Sequence, residues 1–353
     1  MASAQPEIRS WTIWRGLAAI TVVLFHFRPH LAGQLDLPLV GAIARNGALG
    51  VDLFFVLSGM VMHRVYGEAV RAERFSYGQF MAKRIARIYP VHFVTTLGAL
   101  SMIIIAGAAG LVPVDSAALA RALPIHLLML HGLGRVEDHF ALNFPSWSVS
   151  AEMFAYLCFP LFALLYRGRD RAVVGWLMLL GAGLVVSITN GWMQIGVVRV
   201  SIEFLIGMGV ARLIGRRYNP PLGLALLLFG TVIYASFLQW QVVPGSAVLA
   251  FALMLGGSAL AEPWLGHNRL IGALAYLGTI SYSLYMVHAL VMSPGFLLAE
   301  RLLHVPPDQS PDWVVLVVLA VTIACAALLH RWVELPCRTW LVRKLAAQQR
   351  MPQ

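Results

Sequence analysis

Long apolar runs, each closed by a charged or proline-containing stretch, recur from one end of the chain to the other. A helix needs about 20 mostly apolar residues, within a range of roughly 17–25, to cross a bilayer. Ten runs qualify: 11–28, 46–65, 89–111, 147–166, 172–189, 197–214, 221–239, 244–261, 270–293 and 312–332. The segment 118–131 (ALARALPIHLLMLH) is apolar but short and is interrupted by Pro124, which reads as a re-entrant or interfacial helix. HFRPH follows the first run and is a poor cleavage site, so an uncleaved first helix with its N-terminus inside is expected. The pattern predicts an all-α, polytopic integral membrane protein of about ten transmembrane helices. No internal repeat or Gly/Ser linker divides it. A single membrane domain is expected over 1–340 with a short tail over 341–353, so that any chemistry occurs within the membrane domain.

Composition narrows the class further. Of 353 residues, 59% are hydrophobic and 12% are charged, and the mean hydropathy is +0.76. A soluble domain carries about 25% charged residues. A soluble enzyme, a nucleic-acid binder and a disordered chain are therefore excluded, although the net charge is +10. The basic residues act instead as topology determinants, because cytoplasmic loops collect Lys and Arg. With ten spans and the N-terminus inside, 20 of the 26 Lys and Arg residues fall on the cytoplasmic side. The other six, Arg28, Arg45, Arg121, Arg135, Arg199 and Arg301, lie on or toward the outer side. An extra crossing near 120 would put RGRDR (167–171) and GRRY (215–218) outside, so both termini are expected to be cytoplasmic. Cys158, Cys325 and Cys337 show no CxxC or metal spacing and imply no disulfide framework.

Ionisable groups in the hydrocarbon region are costly and normally face a partner or a wet cavity. Arg15 and His26 share the first helix, eleven residues or roughly 16 Å apart and on nearly the same face. That suits a ligand entering from the cytoplasm. It also suits a snorkelling arginine and a structural histidine. Asp52 and Ser58 lie in GVDLFFVLSG, Asp52 near the outer end of its helix. Glu152 lies about one turn into the fourth span, and Arg199 and Glu203 form an i,i+4 pair in the sixth. His288 lies eighteen residues, roughly 27 Å, beyond Leu270 in the ninth span, in its outer half. Arg84 and Arg87, spaced i,i+3 just before the third span, make a cytoplasmic basic patch with Arg15 and Lys83. Clustered arginines bind phosphate through bidentate charge-assisted hydrogen bonds. The residues alone thus read as a membrane enzyme or carrier with an inner phosphate-binding mouth and an outer acid/base site.

Seven motifs in order, over about 10–340, resemble acyltransferase family 3. They are Arg15-x10-His26, GVDLFFVLSG (50–59), RIARIYP (84–90), PSWSVSAEMFAY (145–156), RVSIEFLIGM (199–208), SYSLYMVH (281–288) and HRWVELPCR (330–338). The resemblance implies ten helices in the bacterial plasma (inner) membrane. It implies transfer of an acyl group, often acetyl, from cytoplasmic acyl-CoA to a hydroxyl, commonly of a carbohydrate or glycoconjugate on the far side. By the same resemblance Arg15, Arg84 and Arg87 contact the CoA phosphates and His26 is the catalytic histidine. Many relatives carry an additional SGNH-hydrolase-like domain, and any step belonging to it is expected from a separate partner.

Thioester transfer to a hydroxyl needs a base near neutral pH, and histidine supplies one. His26 is expected to deprotonate the acceptor, with an acyl-histidine intermediate as the other route. Glu152 or Asp52 is expected to orient the imidazole, and either is open to pairing with Arg199 instead. Ser58 or Ser148 is a candidate oxyanion donor. His288 binds acceptor, closes the network or packs against a tyrosine. Trp147 and Trp11 suit stacking on a sugar or adenine, or anchoring at the interface. Glu334 reads as an ion pair with Arg331 and Arg338. His126, His131 and His139, in the long outer segment 112–146, do not match a helical metal pair, so no metal is expected and the segment reads as an acceptor-binding lid. A transporter or flippase of a lipid-linked or acylated envelope precursor would share the polar cavity without transfer chemistry, and a structural subunit of an envelope-polymer assembly need not line one.

Overall fold

The computed structural model describes residues 8–31, 38–134, 140–168, 170–240, 245–306 and 309–348. Among the described residues there is no strand, and the chain runs through α1 (Arg9–Phe27), α2 (Pro38–Asn46), α3 (Gly50–Arg71), α4 (Tyr77–Ala108), α5 (Ser116–Leu127), α6 (Trp147–Leu165), α7 (Asp170–Thr189), α8 (Gly196–Ile214), α9 (Pro220–Trp240), α10 (Ser246–Leu260), α11 (Arg269–Thr279), α12 (Ser281–Leu303), α13 (Asp312–Leu329) and α14 (Leu335–Gln348). Arg135, His139, Arg169 and Arg350, which entered the sequence reading, lie outside the described residues.

Among the described residues, eight helical stretches are long and apolar enough to cross a membrane. The other two expected spans correspond to α8 and α10. The first carries Arg199, Glu203 and Arg212 along its 19 residues. The second has only 15 residues. Nearly every side chain of α10 is buried, so it sits inside the bundle, screened from lipid by its neighbours. At the periphery, α7 and α9 turn Met178, Leu179, Leu228, Phe229 and Val232 outward, as lipid-facing helices must.

Three spans depart from the boundaries expected from sequence. The third helix begins at Tyr77, twelve residues before 89, so Arg84 and Arg87 lie inside α4. Charged residues at the start of a span are compatible with helix; they only leave the membrane. The expected ninth span, 270–293, is two helices broken at Ile280, and α12 alone spans. The break has a tertiary cause. Gly278 lies directly against the Thr12 carbonyl, so α11 docks on α1 and the chain must turn before continuing. His288 is therefore seven residues, roughly 10 Å, into its helix. The last span continues through a π turn (His330–Glu334) into α14. The segment at 118–131 is a helix of 12 residues, too short to cross.

Close approach also defines the centre. Gly59 of α3 meets the Phe204 carbonyl and Gly207 of α8 meets the Val56 carbonyl, so any side chain at either position would overlap backbone. Small residues let membrane helices approach this way. Polar contacts sort the helix ends. One end joins the Arg9 backbone N–H to Glu262, Arg64 to the Gly215 carbonyl, Arg167 to the Val70 carbonyl, Arg212 to Asp170 and Arg87 to Glu334. The opposite end joins Asp52 to Arg199, His26 to His288 and Asn143 to the Met286 carbonyl.

Candidate functional site

A cavity of about 140 Å³ opens between α1, α3, α4, α6 and α12. Arg15, Arg84 and Arg87 line it together with Ser58, Glu152, Tyr156, Ser148, Tyr282 and Tyr285. The helical spacing explains the grouping, because Arg84 and Arg87 sit one turn apart on α4 and Ser148, Glu152 and Tyr156 recur every four residues on α6. The arginines differ in how they are held. Glu334 reaches Arg87 at 3.5 Å and also accepts from Ser283 at 2.8 Å and meets His330 Nδ1 at 3.0 Å. The Arg84 guanidinium lies over the rings of Tyr66, Phe80 and Tyr156, 5.7–5.9 Å from their centroids. Its buried Nε has no hydrogen-bond partner among the described residues. An aromatic cradle around a guanidinium with a spare donor suits an anionic guest such as a phosphate ester. Deeper in, Ser58 Oγ donates to Glu152 Oε1 at 2.5 Å and Tyr156 donates to the same oxygen at 2.6 Å.

The lining ends at Ser148 and Tyr285, whose hydroxyls are 2.7 Å apart, and Tyr285 also donates to the Pro145 carbonyl at 3.0 Å. His288, one turn further along α12, and His26 of α1 lie beyond that end and do not line the cavity. His26 turns inward, packing on Phe144 and His288 with ring centroids 4.8 and 5.0 Å away. Its Nδ1 lies 3.0 Å from the Val22 carbonyl and 3.2 Å from His288 Nε2, while His288 Nδ1 lies 2.6 Å from the Tyr285 carbonyl. Carbonyls only accept, so these contacts dictate the tautomers. His288 carries its proton on Nδ1 and offers Nε2 as an acceptor, the one His26 Nδ1–H is shared between the Val22 carbonyl and that Nε2, and the neutral His26 ring keeps an unprotonated Nε2. A histidine stands where a carboxylate orients the imidazole in other triads.

Neither carboxylate expected to assist His26 touches it. Glu152 faces the cavity. Asp52 takes a bidentate ion pair from Arg199, at 2.9 and 2.6 Å, and Glu203 stands 3.7 Å from the same guanidinium. Asp52 on α3 and Glu203 on α8 are buried and Arg199 is half-buried between them, with the Trp147 ring under its guanidinium at 5.6 Å. Trp147 is thereby packed into this ion-pair cluster. Trp11 is buried near the start of α1, where it donates to the Leu255 carbonyl at 3.0 Å and has the Arg64 guanidinium 5.9 Å from its ring centroid. Glu334 pairs with Arg87 and His330, where Arg331 and Arg338 were expected.

The described part of the segment 112–146 contains a stack. His126 and His131 lie face to face with centroids 4.0 Å apart, and His92 of α4 lies parallel at 5.8 Å from His131. His92 reaches the His126 carbonyl at 2.8 Å and His131 reaches Ser146 at 2.9 Å, which ties the segment to α4 and to the start of α6. Burial, reinforced by the two neighbouring imidazoles, pushes His131 down to about 3.

Sequence reasoning put Arg15, Arg84 and Arg87 at an inner basic mouth and Glu152 with an outer acid/base site, whereas the structure places these four and Ser58 around one cavity. It paired His26 with a carboxylate, and the structure places His288 there. Tyr156, Tyr282 and Tyr285 were missed, although the first closes PSWSVSAEMFAY and the last two lie within SYSLYMVH; a tyrosine three or four residues from a titratable group was the available signal.

A family model described as an acyltransferase domain matches residues 8–331. Acyltransferase MdmB of Streptomyces mycarofaciens is 28% identical, over 96% of this chain and 93% of its own length. Exopolysaccharide production protein ExoZ of Rhizobium meliloti (strain 1021) is 28% identical over 70% of this chain and 77% of its own. Putative peptidoglycan O-acetyltransferase YrhL of Bacillus subtilis (strain 168) is 23% identical over 92% of this chain but 54% of its own, so this chain spans about half of that relative. No solved structure matches.

Proposed function

The chain belongs to acyltransferase family 3 and is a membrane O-acyltransferase, and on that premise we propose that it carries an acyl group, acetyl in the simplest case, from acyl-CoA to a carbohydrate or glycoconjugate hydroxyl across the bilayer. The end of the bundle rich in arginine faces the cytoplasm of the bacterial plasma membrane, as the charge bias of the loops suggests. The donor's phosphates meet Arg15, Arg84 and Arg87, with Glu334 holding Arg87 in place. The thioester arm follows the cavity past Ser58 and Glu152 to Tyr285. Names among the relatives, a polysaccharide production protein and a putative peptidoglycan O-acetyltransferase, favour a glycan acceptor.

His26 acts as the base. Its Nε2 takes the proton of the acceptor hydroxyl, the acceptor oxygen attacks the thioester carbonyl, and the carbon–sulfur bond breaks. The proton passes from His26 to the departing thiolate, so ester and free thiol leave with His26 restored. His288 keeps the reactive nitrogen bare. The observation that carries this reading is the chain from the Tyr285 carbonyl through His288 to His26. It requires the Tyr285 side chain to leave Ser148 and the Pro145 carbonyl, because it closes the cavity short of His26. A second reading gives the base role to Glu152, which does line the cavity and touches Ser58.

Purified protein, radiolabelled acetyl-CoA and envelope glycans separate the two. With His26 as base, His26→Ala lowers turnover by about 10²–10⁴, while Glu152→Gln acts mainly on the KM for the donor. The reverse pattern transfers the role to Glu152.

A further inference from the structure

A second cavity, about 280 Å³, opens at the arginine-rich end between α3 and α8 and shares no lining residue with the first. His63, Arg64, Glu68 and Arg71 line it from α3, and Arg212 and Arg216 from the end of α8. Its shape follows from the way α8 stops. Gly215, with φ of +58°, turns the chain back where a side chain would be strained, and its carbonyl accepts from Arg64 at 3.0 Å. That turn brings Arg216 to within 2.9 Å of Glu68. Asp170, at the start of α7, holds Arg212 at 3.0 Å. Four guanidinium groups thus meet Glu68 and Asp170, with Tyr218 and the Glu262 carboxylate also acting on Arg64.

Several donors here are spare. Among the described residues Arg71 has no hydrogen bond or ion pair, and the buried Arg212 Nε and His63 Nδ1 have no hydrogen-bond partner. Excess positive charge and unused guanidinium donors around a cavity are the chemistry that grips a phosphate. The location identifies its source. The cavity lies where α3 and α8 leave the apolar layer, beside α7, whose Met178 and Leu179 face outward as lipid contacts. Basic pockets between membrane helices on the cytoplasmic side suit anionic headgroups.

We propose that this cavity binds a phosphate ester, supplied by the headgroup of an anionic phospholipid. A lipid held there bridges α3 and α8, the helices that carry the Asp52–Arg199 pair at their other ends, beside the Asp170 of α7 that holds Arg212. The site is independent of acyl transfer, and its test reads lipid binding alone.

The full chain, purified in mild detergent with phosphatidylglycerol or phosphatidylcholine, is examined by native mass spectrometry for retained lipid. Phosphatidylglycerol is retained and phosphatidylcholine is not. The double variant Arg71→Gln with Arg216→Gln retains roughly tenfold less, since each arginine near an anionic surface contributes appreciably. Arg84→Gln, in the first cavity, retains as much as the wild type. If inorganic phosphate displaces the phosphatidylglycerol and raises the unfolding temperature by itself, the same cavity takes phosphate from a soluble source. Equal retention of the two lipids by the wild type, or undiminished retention by the double variant, overturns the proposal. Should the double variant not fold, the wild type decides. Unfolding temperatures that neither phosphatidylglycerol nor phosphate raises above those in phosphatidylcholine and chloride also overturn it.

Discussion

Arg199 and Arg84 are the same side chain at opposite ends of one bundle, and the structure uses them differently. Arg199 is taken by Asp52 in a bidentate pair, with Glu203 behind it and Trp147 beneath it. Arg84 lines a cavity, has aromatic rings around it, reaches only the Tyr66 hydroxyl at 3.5 Å, and keeps a buried Nε without a hydrogen-bond partner among the described residues. A guanidinium whose donors are spent on buried carboxylates fixes helix positions. One whose donors are spare is available to a ligand. The same contrast separates the two glutamates, since Glu203 is enclosed beside Arg199 while Glu152 lines the cavity.

The contrast is broken first at the outer end. Asp52→Ala takes the bidentate partner from Arg199 and leaves it only Glu203 at 3.7 Å, at a cost of up to about 3–5 kcal/mol. A fall in the unfolding temperature of the detergent-solubilised protein measures it; an unchanged one would mean that the pair does not hold α3 to α8. Next comes His288→Leu, which removes the imidazole acceptor beside His26, leaving it only the Val22 carbonyl, and is expected to lower kcat by about tenfold or more without changing the donor KM. A kcat equal to that of the wild type would detach His288 from the reaction. At the inner end, Arg84→Gln with Arg87→Gln should raise the donor KM by about tenfold or more, each lost charge-assisted bond being worth roughly 1.5–3 kcal/mol. An unchanged KM removes phosphate binding from the pair.

The smallest expected effect lies in the histidine stack. His131 is held neutral in the folded protein, with its value lowered to about 3 from an ordinary 6.5. Its contribution to stability is therefore complete above about pH 6.5 and is lost progressively as the pH falls toward 3. Unfolding temperatures should decline over that window, and His131→Gln should flatten the decline. An equal slope in the variant would place the acid sensitivity elsewhere.

Much of this was legible in the sequence, and the exceptions share a cause. The apolar runs located the spans because crossing a bilayer is a local requirement on composition. The arginines of the cavity were legible because charge at the end of a span is conspicuous. The break at Ile280 was hidden, since 270–293 is apolar throughout and the interruption comes from Thr12, far away in the chain, pressing on Gly278. Asp52 had two plausible tasks, and 147 residues separate it from the arginine that claims it. His288 was visible as a polar residue in a helix, but its bond to His26 depends on how α12 sits against α1. Partners across the bundle are set by packing, to which spacing along one helix is blind.

The central claim is that a donor gripped at the arginine-rich end delivers its acyl group to an acceptor at the other. Sidedness tests it most directly. Radiolabelled acetyl-CoA is added outside inverted membrane vesicles, with envelope glycans sealed in the lumen and a second portion outside. The account predicts label on the lumenal glycans, lost in Arg84→Gln with Arg87→Gln at low donor concentration. Label confined to the glycans on the donor's own side would contradict it.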